Sequence, residues 1–445
     1  MHENSLRVLL VPDSTYWVLG TIAKSIVRFN PSVEAAIVSG PVMDKLFGER
    51  PDLMRSFDLV HFLCPYVSKE WLPRLRDAVP CVTSHHHVTD WNLIKHNLEG
   101  DAVVAGSLEW WEDAIARGAA AENVFCVPYG VDAEQFKAPD GESRRRIRSK
   151  LGVKEGYTVV GFFAKKSSND DDRKGTDVFI EALNALREKV PNLTALIVGP
   201  GWQEMVGAFR SSGINCIWFP FIRDYKGLAE MYAALDFYWV TSRVEGGPVT
   251  LLEAMSSEVC SVTTPVGLAR DIVSDGVNAA LVPFNDVNGF VERTVELARD
   301  KALRRKMGQS ARATILERMH VGVTMPKVLE AYAHARVNFS RRRGVASRAG
   351  VENTCRAEVT ESEEVPLNGI PRSLHRRVRM EESLAWGEHL VLYQNERAAA
   401  LKMIGRCWLS NPLSPQPLRV LLRRFMPRAV VSNIVRVKNG RRAAA

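Results

Sequence analysis

Nowhere in this sequence do about eighteen uncharged apolar residues follow one another, which argues against a membrane-spanning helix. The opening MHENSLRVLLVP has no basic stretch ahead of its apolar run, so it reads as a first strand and no secretory leader is expected. The seven cysteines (Cys64, Cys81, Cys126, Cys216, Cys260, Cys355 and Cys407) form no C-x-x-C pair, and most sit in apolar runs such as HFLCP and NVFCVP. That pattern suits small core residues in a reducing, cytoplasmic compartment, not a disulfide frame or a zinc site. Acidic residues are missing altogether after Glu396, whereas eleven Lys and Arg follow it. Residues 341–445 hold 20 Lys and Arg against 9 Asp and Glu, a balance of +11; with the whole chain at +8, residues 1–340 carry −3. A tail of this kind suits an anionic membrane surface or a docking role, and no nucleic-acid recognition motif accompanies it.

What is present is an ordinary globular composition, with 46% hydrophobic and 25% charged residues, spread over 445 residues. That is too long for one compact core, and two domains plus an appendage are expected. From residue 7 to 140, short β-rich runs (RVLLVP, AAIVSG, DLVHFL, PCVTS, DAVVAG, NVFCVP) alternate with helical patterns such as WVLGTIAKSIVRF and SLEWWEDAIARG. Alternation of this kind predicts a parallel sheet with helices on both faces. Residues 138–156 (APDGESRRRIRSKLGVKEG) are charged and punctuated by Pro and Gly, and 141–156 reads as a linker. A second alternation then runs from YTVVGFF to AALVPF and on to about Phe339. The expected fold class is therefore α/β, with two doubly wound Rossmann-like domains, 1–140 and 157–339. Residues 340–375 read as a flexible linker, and 376–445 as a basic helical extension.

The segment VTSRVEGGPVTLLEAM, 240–255, carries the chemistry. It runs from a strand end through an acidic glycine loop to a proline opening an apolar helix, with Glu245 in the loop and Glu253 in the helix. Open α/β sheets bind ligands at that edge. Gly246 and Gly247 let a ligand approach the backbone, and the amides after Pro248 and Val249 form an anion site suited to a diphosphate. The two carboxylates would accept hydrogen bonds from sugar and ribose hydroxyls.

EGGPVTLLEAM resembles the E-x7-E signature of retaining glycosyltransferases of family four, in the GT-B class. Further landmarks follow in the same order across residues 6–335: DLVHFLCP, PCVTSHHH, VPYGVDAEQF, RKGTDVFIEAL, LIVGPG and PVGLARDIVSDGVNAALVPFND. The resemblance implies a metal-independent hexosyl- or related transferase. It would move a sugar from a nucleotide-diphosphate donor to a glycan or lipid-linked acceptor, as in polysaccharide biosynthesis, without a cofactor. It also implies roles: Glu253 for the donor ribose, Glu245 for the transferred sugar and its phosphate, and Lys174 for the diphosphate. The usual partner arginine is missing, because Phe162 stands at its position; Lys165 or Lys166 is the expected substitute. A histidine at the end of the fourth strand faces the sugar in this family, and His85 or His86 takes that place, with His85 put first.

The run His85–His87 offers no metal site, since consecutive residues of an extended chain face opposite ways and no partner ligand sits at the right spacing. The first-strand turn, VPDSTYWVLG, lacks the family's glycines and leaves only Gly20 to approach an acceptor or phosphate. Asp271 replaces a common glutamate. Two other readings stay open: a degenerate GT-B domain kept for binding, suggested by the missing arginine, and a nucleotide-sugar epimerase, for which no proton-transfer residues stand out. In the tail, Leu418, Leu421, Leu422 and Phe425 recur on one helical face with arginines off it, which predicts a peripheral contact with the inner face of a membrane.

Overall fold

The computed structural model describes residues 5–87, 90–166, 172–222, 225–344, 372–394, 397–410 and 420. The first half follows the expected alternation: β1 (Leu6–Val11), α1 (Val18–Phe29), β2 (Val33–Ile37), α2 (Gly40–Glu49), β3 (Leu59–Phe62), α3 (Pro65–Leu75), β4 (Cys81–His85), α4 (Trp91–Ile94), β5 (Ala102–Ala105), α5 (Leu108–Ala116) and β6 (Val124–Cys126). All pairings are parallel, in the order β2-β1-β3-β4-β5-β6. Strands β3, β4 and β5 are buried at every position, as parallel strands covered on both faces must be.

After α6 (Gly141–Lys150), the second half runs β7 (Thr158–Phe163), α7 (Thr176–Lys189), β8 (Leu193–Val198), α8 (Gln203–Ser211), β9 (Asn215–Phe219), α9 (Tyr225–Ala233), β10 (Phe237–Val240), α10 (Val249–Ser256), β11 (Cys260–Thr263), α11 (Leu268–Ile272) and β12 (Ala280–Leu281). Its sheet is also parallel, ordered β12-β11-β10-β7-β8-β9. The strand order reverses between β7 and β10, so the crevice outside their carboxyl ends is the place where such sheets take ligands. The chain closes with α12 (Val287–Arg299), α13 (Lys301–Thr314), α14 (Val321–Thr324), α15 (Val328–Arg342), α16 (Arg372–Gln394) and α17 (Arg397–Ser410). The two doubly wound α/β domains are as expected.

Three segments do not sit where the sequence boundaries put them. The stretch 141–156, read as a linker, begins with α6. The Asp140 side chain caps this helix at Ser143 N, and Arg144 and Arg148 bind Asp236 of the second domain. Helix α15, read as the end of the second domain, packs instead on the first: Tyr332 meets His61, Asn338 donates to the Asp101 carbonyl, and Arg342 pairs with Asp101 and Asp77. An amphipathic pattern shows that a face is buried but not which sheet buries it. Within the basic extension, α16 docks on the first domain, where Leu374 and Val378 join the core beside Val42, Leu46 and Leu72. The linker residues 345–371 and the apolar face at 418–425, apart from Val420, lie outside the described residues. Among the described residues no helix is long and apolar enough to cross a membrane.

Candidate functional site

Strand β10 ends at Val240, and the chain leaves the sheet edge through Thr241, Ser242 and Arg243 to Glu245. Glu245 is buried; its Oε1 accepts from Lys174 Nζ at 2.5 Å and from Ser242 Oγ at 2.9 Å. Lys174 is brought there by the turn into α7. Gly175 caps that helix in the left-handed region (φ +62°), and a Cβ on it would lie 2.1 Å from the Thr241 carbonyl oxygen, so only glycine permits the approach. Thr241 Oγ1 donates to the carbonyls of Lys174 and Gly175, and Arg243 N and Val244 N to that of Arg173. The two loops are thus stitched by backbone, and the Lys174–Glu245 pair is a product of that stitching.

The first domain reaches into the same place. Trp110 of α5 donates its indole N–H to the Glu245 carbonyl at 2.7 Å, Glu109 accepts from Gly267 N at 2.7 Å, and Asp271 accepts from Leu108 N at 2.9 Å. His86 lies against Gly246, where an added Cβ would come within 2.7 Å of its own Cβ, and Tyr129 crowds Gly247 in the same way. Both glycines are therefore needed for the close approach of the two domains.

The three histidines separate clearly. His85, placed first on sequence, turns away: its ring is fully buried, Nε2 is hydrogen-bonded to Asp113 at 2.7 Å, and its ring edge meets Trp110. His86 is the one on the seam, buried, with no partner on either ring nitrogen among the described residues. Burial holds it well below the ordinary imidazole range, so it is a neutral ring with a donor and an acceptor to offer. His87 is pushed down to about 3, by burial first and then by Arg173 and Lys174.

Glu253 differs from its expected form. It is buried on α10, accepts from the Tyr232 hydroxyl at 2.7 Å, and burial raises its carboxyl to about 8. At neutral pH it is an uncharged acid, able to donate as well as accept. Helix α10 opens at Val249 with Pro248 in the cap position, one residue earlier than expected for a first helical proline. Val249 lines a small apolar hollow with Val18, Thr21 and Ile22 of α1, so α10 and the first domain share a wall.

Other expected residues stand apart. Phe162 is buried between Phe179 and Trp202 and could not be exchanged for an arginine without burying its charge. Lys165 is exposed and Lys166 half-buried, with the Lys166 amide donating to the Pro200 carbonyl; neither joins the hydrogen bonds around Glu245 among the described residues. Gly20 approaches no open space: a Cβ there would lie 2.4 Å from Ser14 O, so the glycine serves the packing of its own loop. Sequence reading missed Arg173, Ser242, Trp110 and Tyr129. Only Arg173, adjacent to Lys174 in DDRKG, carried a visible signal. Among the described residues no group of three or more His, Cys, Asp or Glu could hold a metal ion.

Residues 143–314, which contain every second-domain element of this site, match the family described as Glycosyl transferases group 1. The match lies in the second domain, and the likeness to family four read from the E-x7-E segment agrees with it. The chain is 28% identical over 192 residues to the putative glycosyltransferase EpsD of Bacillus subtilis, covering 42% of this chain and 48% of that protein. It is 30% identical over 207 residues to a D-inositol 3-phosphate glycosyltransferase of Kribbella flavida, covering 44% and 47%. It thus spans about half the length of the curated relatives it matches. Anabaena Alr3699/HepE, solved with UDP-glucose, superposes with a TM-score of 0.61 at 18% identity, over 74% of this chain and 99% of its own. The likeness is one of fold, and the architecture is GT-B.

Proposed function

We propose that this chain is a retaining glycosyltransferase that moves a sugar from a nucleotide-diphosphate donor to a glycan or lipid-linked acceptor. The observation that carries the reading is the Lys174–Glu245 pair, standing in the crevice outside the carboxyl ends of β7 and β10. The donor diphosphate takes Lys174, Arg173 and the amides that open α10, and in doing so competes with Glu245 for the ammonium group. Glu245 is then released toward the transferred sugar, with the neutral His86 ring across the seam from it. The bond from the anomeric carbon to the diphosphate oxygen breaks, and the acceptor oxygen bonds to that carbon on the same face. The acceptor proton passes to the departing phosphate oxygen. No protein nucleophile and no metal cofactor is called for; orientation and the charge of Lys174 and Arg173 stabilise the growing phosphate charge.

Support comes from the family match in the second domain and from the relatives, whose names are those of transferases. Incubation with a panel of radiolabelled nucleotide sugars tests the reading. Transfer or slow donor hydrolysis is expected; interconversion of the donor sugar would indicate an epimerase, and binding without turnover a scaffold. The basic tail is proposed to hold the enzyme at the inner face of an anionic membrane. Failure of the full chain to float with anionic vesicles at low salt would remove that part.

A further inference from the structure

The loop between β1 and α1, residues 12–17, is the part of the first domain that departs most from the family pattern, and its shape is imposed from a distance. It has no glycine. Lys24 Nζ donates to the Thr15 carbonyl at 2.6 Å, and Ser14 N to Asp13 Oδ1 at 2.7 Å. Tyr16 N donates to Ser14 Oγ at 3.3 Å and Lys24 Nζ stands over the Tyr16 ring. Further contacts come from α16, 367 positions later. Glu382, buried, accepts from Thr15 Oγ1 at 3.0 Å and from Ser39 N at 2.5 Å, gripping the ends of both β1 and β2. One turn further along α16, Trp386 stacks on Tyr16 with centroids 4.7 Å apart and planes 15° apart. Trp386 also meets Phe221, which follows β9 in the second domain, with centroids 5.5 Å apart. Ala400 and Met403 of α17 complete the cluster. Helix α16 is itself fixed to the first domain by Leu374, Val378 and the Lys45–Glu381 pair.

We infer that Trp386 is a positioning residue: from a C-terminal hairpin it holds loop 12–17 and couples that loop to the β9–α9 turn of the opposite domain. The two sheets meet along a cleft with two flanks. On one, α5 grips the turn before α11. On the other, the aromatic trio Tyr16–Trp386–Phe221 joins the loop after β1 to the segment after β9. Any opening of the domains must slide Phe221 off Trp386, and Tyr16 remains with Trp386 because Glu382 anchors the same helix turn. The loop and the turn therefore move as the hairpin allows, and the hairpin belongs to the wall of the cleft. Naming the loop as the acceptor side rests on the proposed transferase reading; the coupling itself does not.

Hydrogen exchange on the full-length chain, followed peptide by peptide, tests this without any substrate. Trp386→Ala is expected to speed exchange on the order of fivefold in both 12–17 and 219–222, the scale of one lost aromatic contact, and Trp386→Phe to restore both. Phe221→Ala, made in the second domain and leaving the anchors of the hairpin intact, is expected to speed exchange in loop 12–17 of the first. Leu401→Ala, on the exposed outer face of α17, should leave both regions at wild-type rates. If Trp386→Ala changes α16 and α17 alone, or if Phe221→Ala leaves 12–17 untouched, the hairpin is a bystander and the inference is overturned. Should Trp386→Ala fail to fold, the Phe221 variant decides the matter.

Discussion

The indole of Trp110 and the carbonyl of Glu245 meet at 2.7 Å across the domain seam, so the first domain holds the loop whose carboxylate pairs with Lys174. The helix turn that supplies Trp110 also supplies Glu109 to Gly267 N and Leu108 N to Asp271. Asp271, shorter than the glutamate common at its position, is spent on this grip. Trp110→Phe would leave a buried carbonyl unpaired, at about 1–3 kcal/mol. The expected result is a lower unfolding midpoint and at least roughly tenfold weaker transfer. Equal midpoints by calorimetry would show that water replaces the indole.

Lys174→Ala should lower transfer by about tenfold or more while the fold persists, since a charge-assisted bond to phosphate is worth roughly 1.5–3 kcal/mol. Steady-state kinetics with the donor identified from the panel provides the check. Unchanged turnover would sink the assignment of this lysine.

The histidines should part company. His86→Leu removes a buried ring with two unpartnered nitrogens, so its unfolding midpoint is expected to hold or rise while transfer falls. His85→Leu breaks the bond to Asp113 and is expected to cost about 1–3 kcal/mol of stability. Thermal melts beside rate measurements separate the two; a transfer loss confined to His85→Leu would reverse the assignment.

Glu253 gives a signed pH dependence. Burial raises its carboxyl from 4.5 to about 8. Below pH 4.5 the group is protonated whether folded or unfolded, so its contribution to stability is fully present there. Between 4.5 and 8 the unfolded chain has ionised and the folded chain has not, so stability is lost as pH rises, at up to about 1.4 kcal/mol per unit. Glu253→Gln abolishes that loss, and its melting advantage over wild type should grow from pH 5 to pH 8. A difference that stays flat would mean that the carboxyl ionises as freely folded as unfolded.

What could be read from the sequence was local. All twelve strands, the Glu245 loop and the Lys174 turn were legible because each is a contiguous run with its own turn residues. The choice between His85 and His86 was not, because one residue of register reverses the facing of a side chain and register is set by β3 and β5, the parallel partners on either side of β4. The neutral state of Glu253 was equally hidden, since it comes from burial that only the assembled fold supplies. The replacement of the phosphate arginine was sought in Lys165 and Lys166, beside the strand. Arg173, at the turn into α7, is the cation whose backbone is bonded to the Glu245 loop, through Arg243 N and Val244 N.

Helix α15 also makes the order of synthesis matter. Asp101 waits 241 residues for Arg342, and Asn338 and Tyr332 arrive only just before it. As the chain leaves the ribosome, the β4–β6 face of the first sheet is thus left uncovered while the whole second domain is being made. At about 5–20 residues per second, that interval lasts roughly 10–50 seconds. The first domain is begun early and finished nearly last, so a chaperone shielding that face during translation should raise the yield of active protein, and a fragment ending near residue 140 should aggregate.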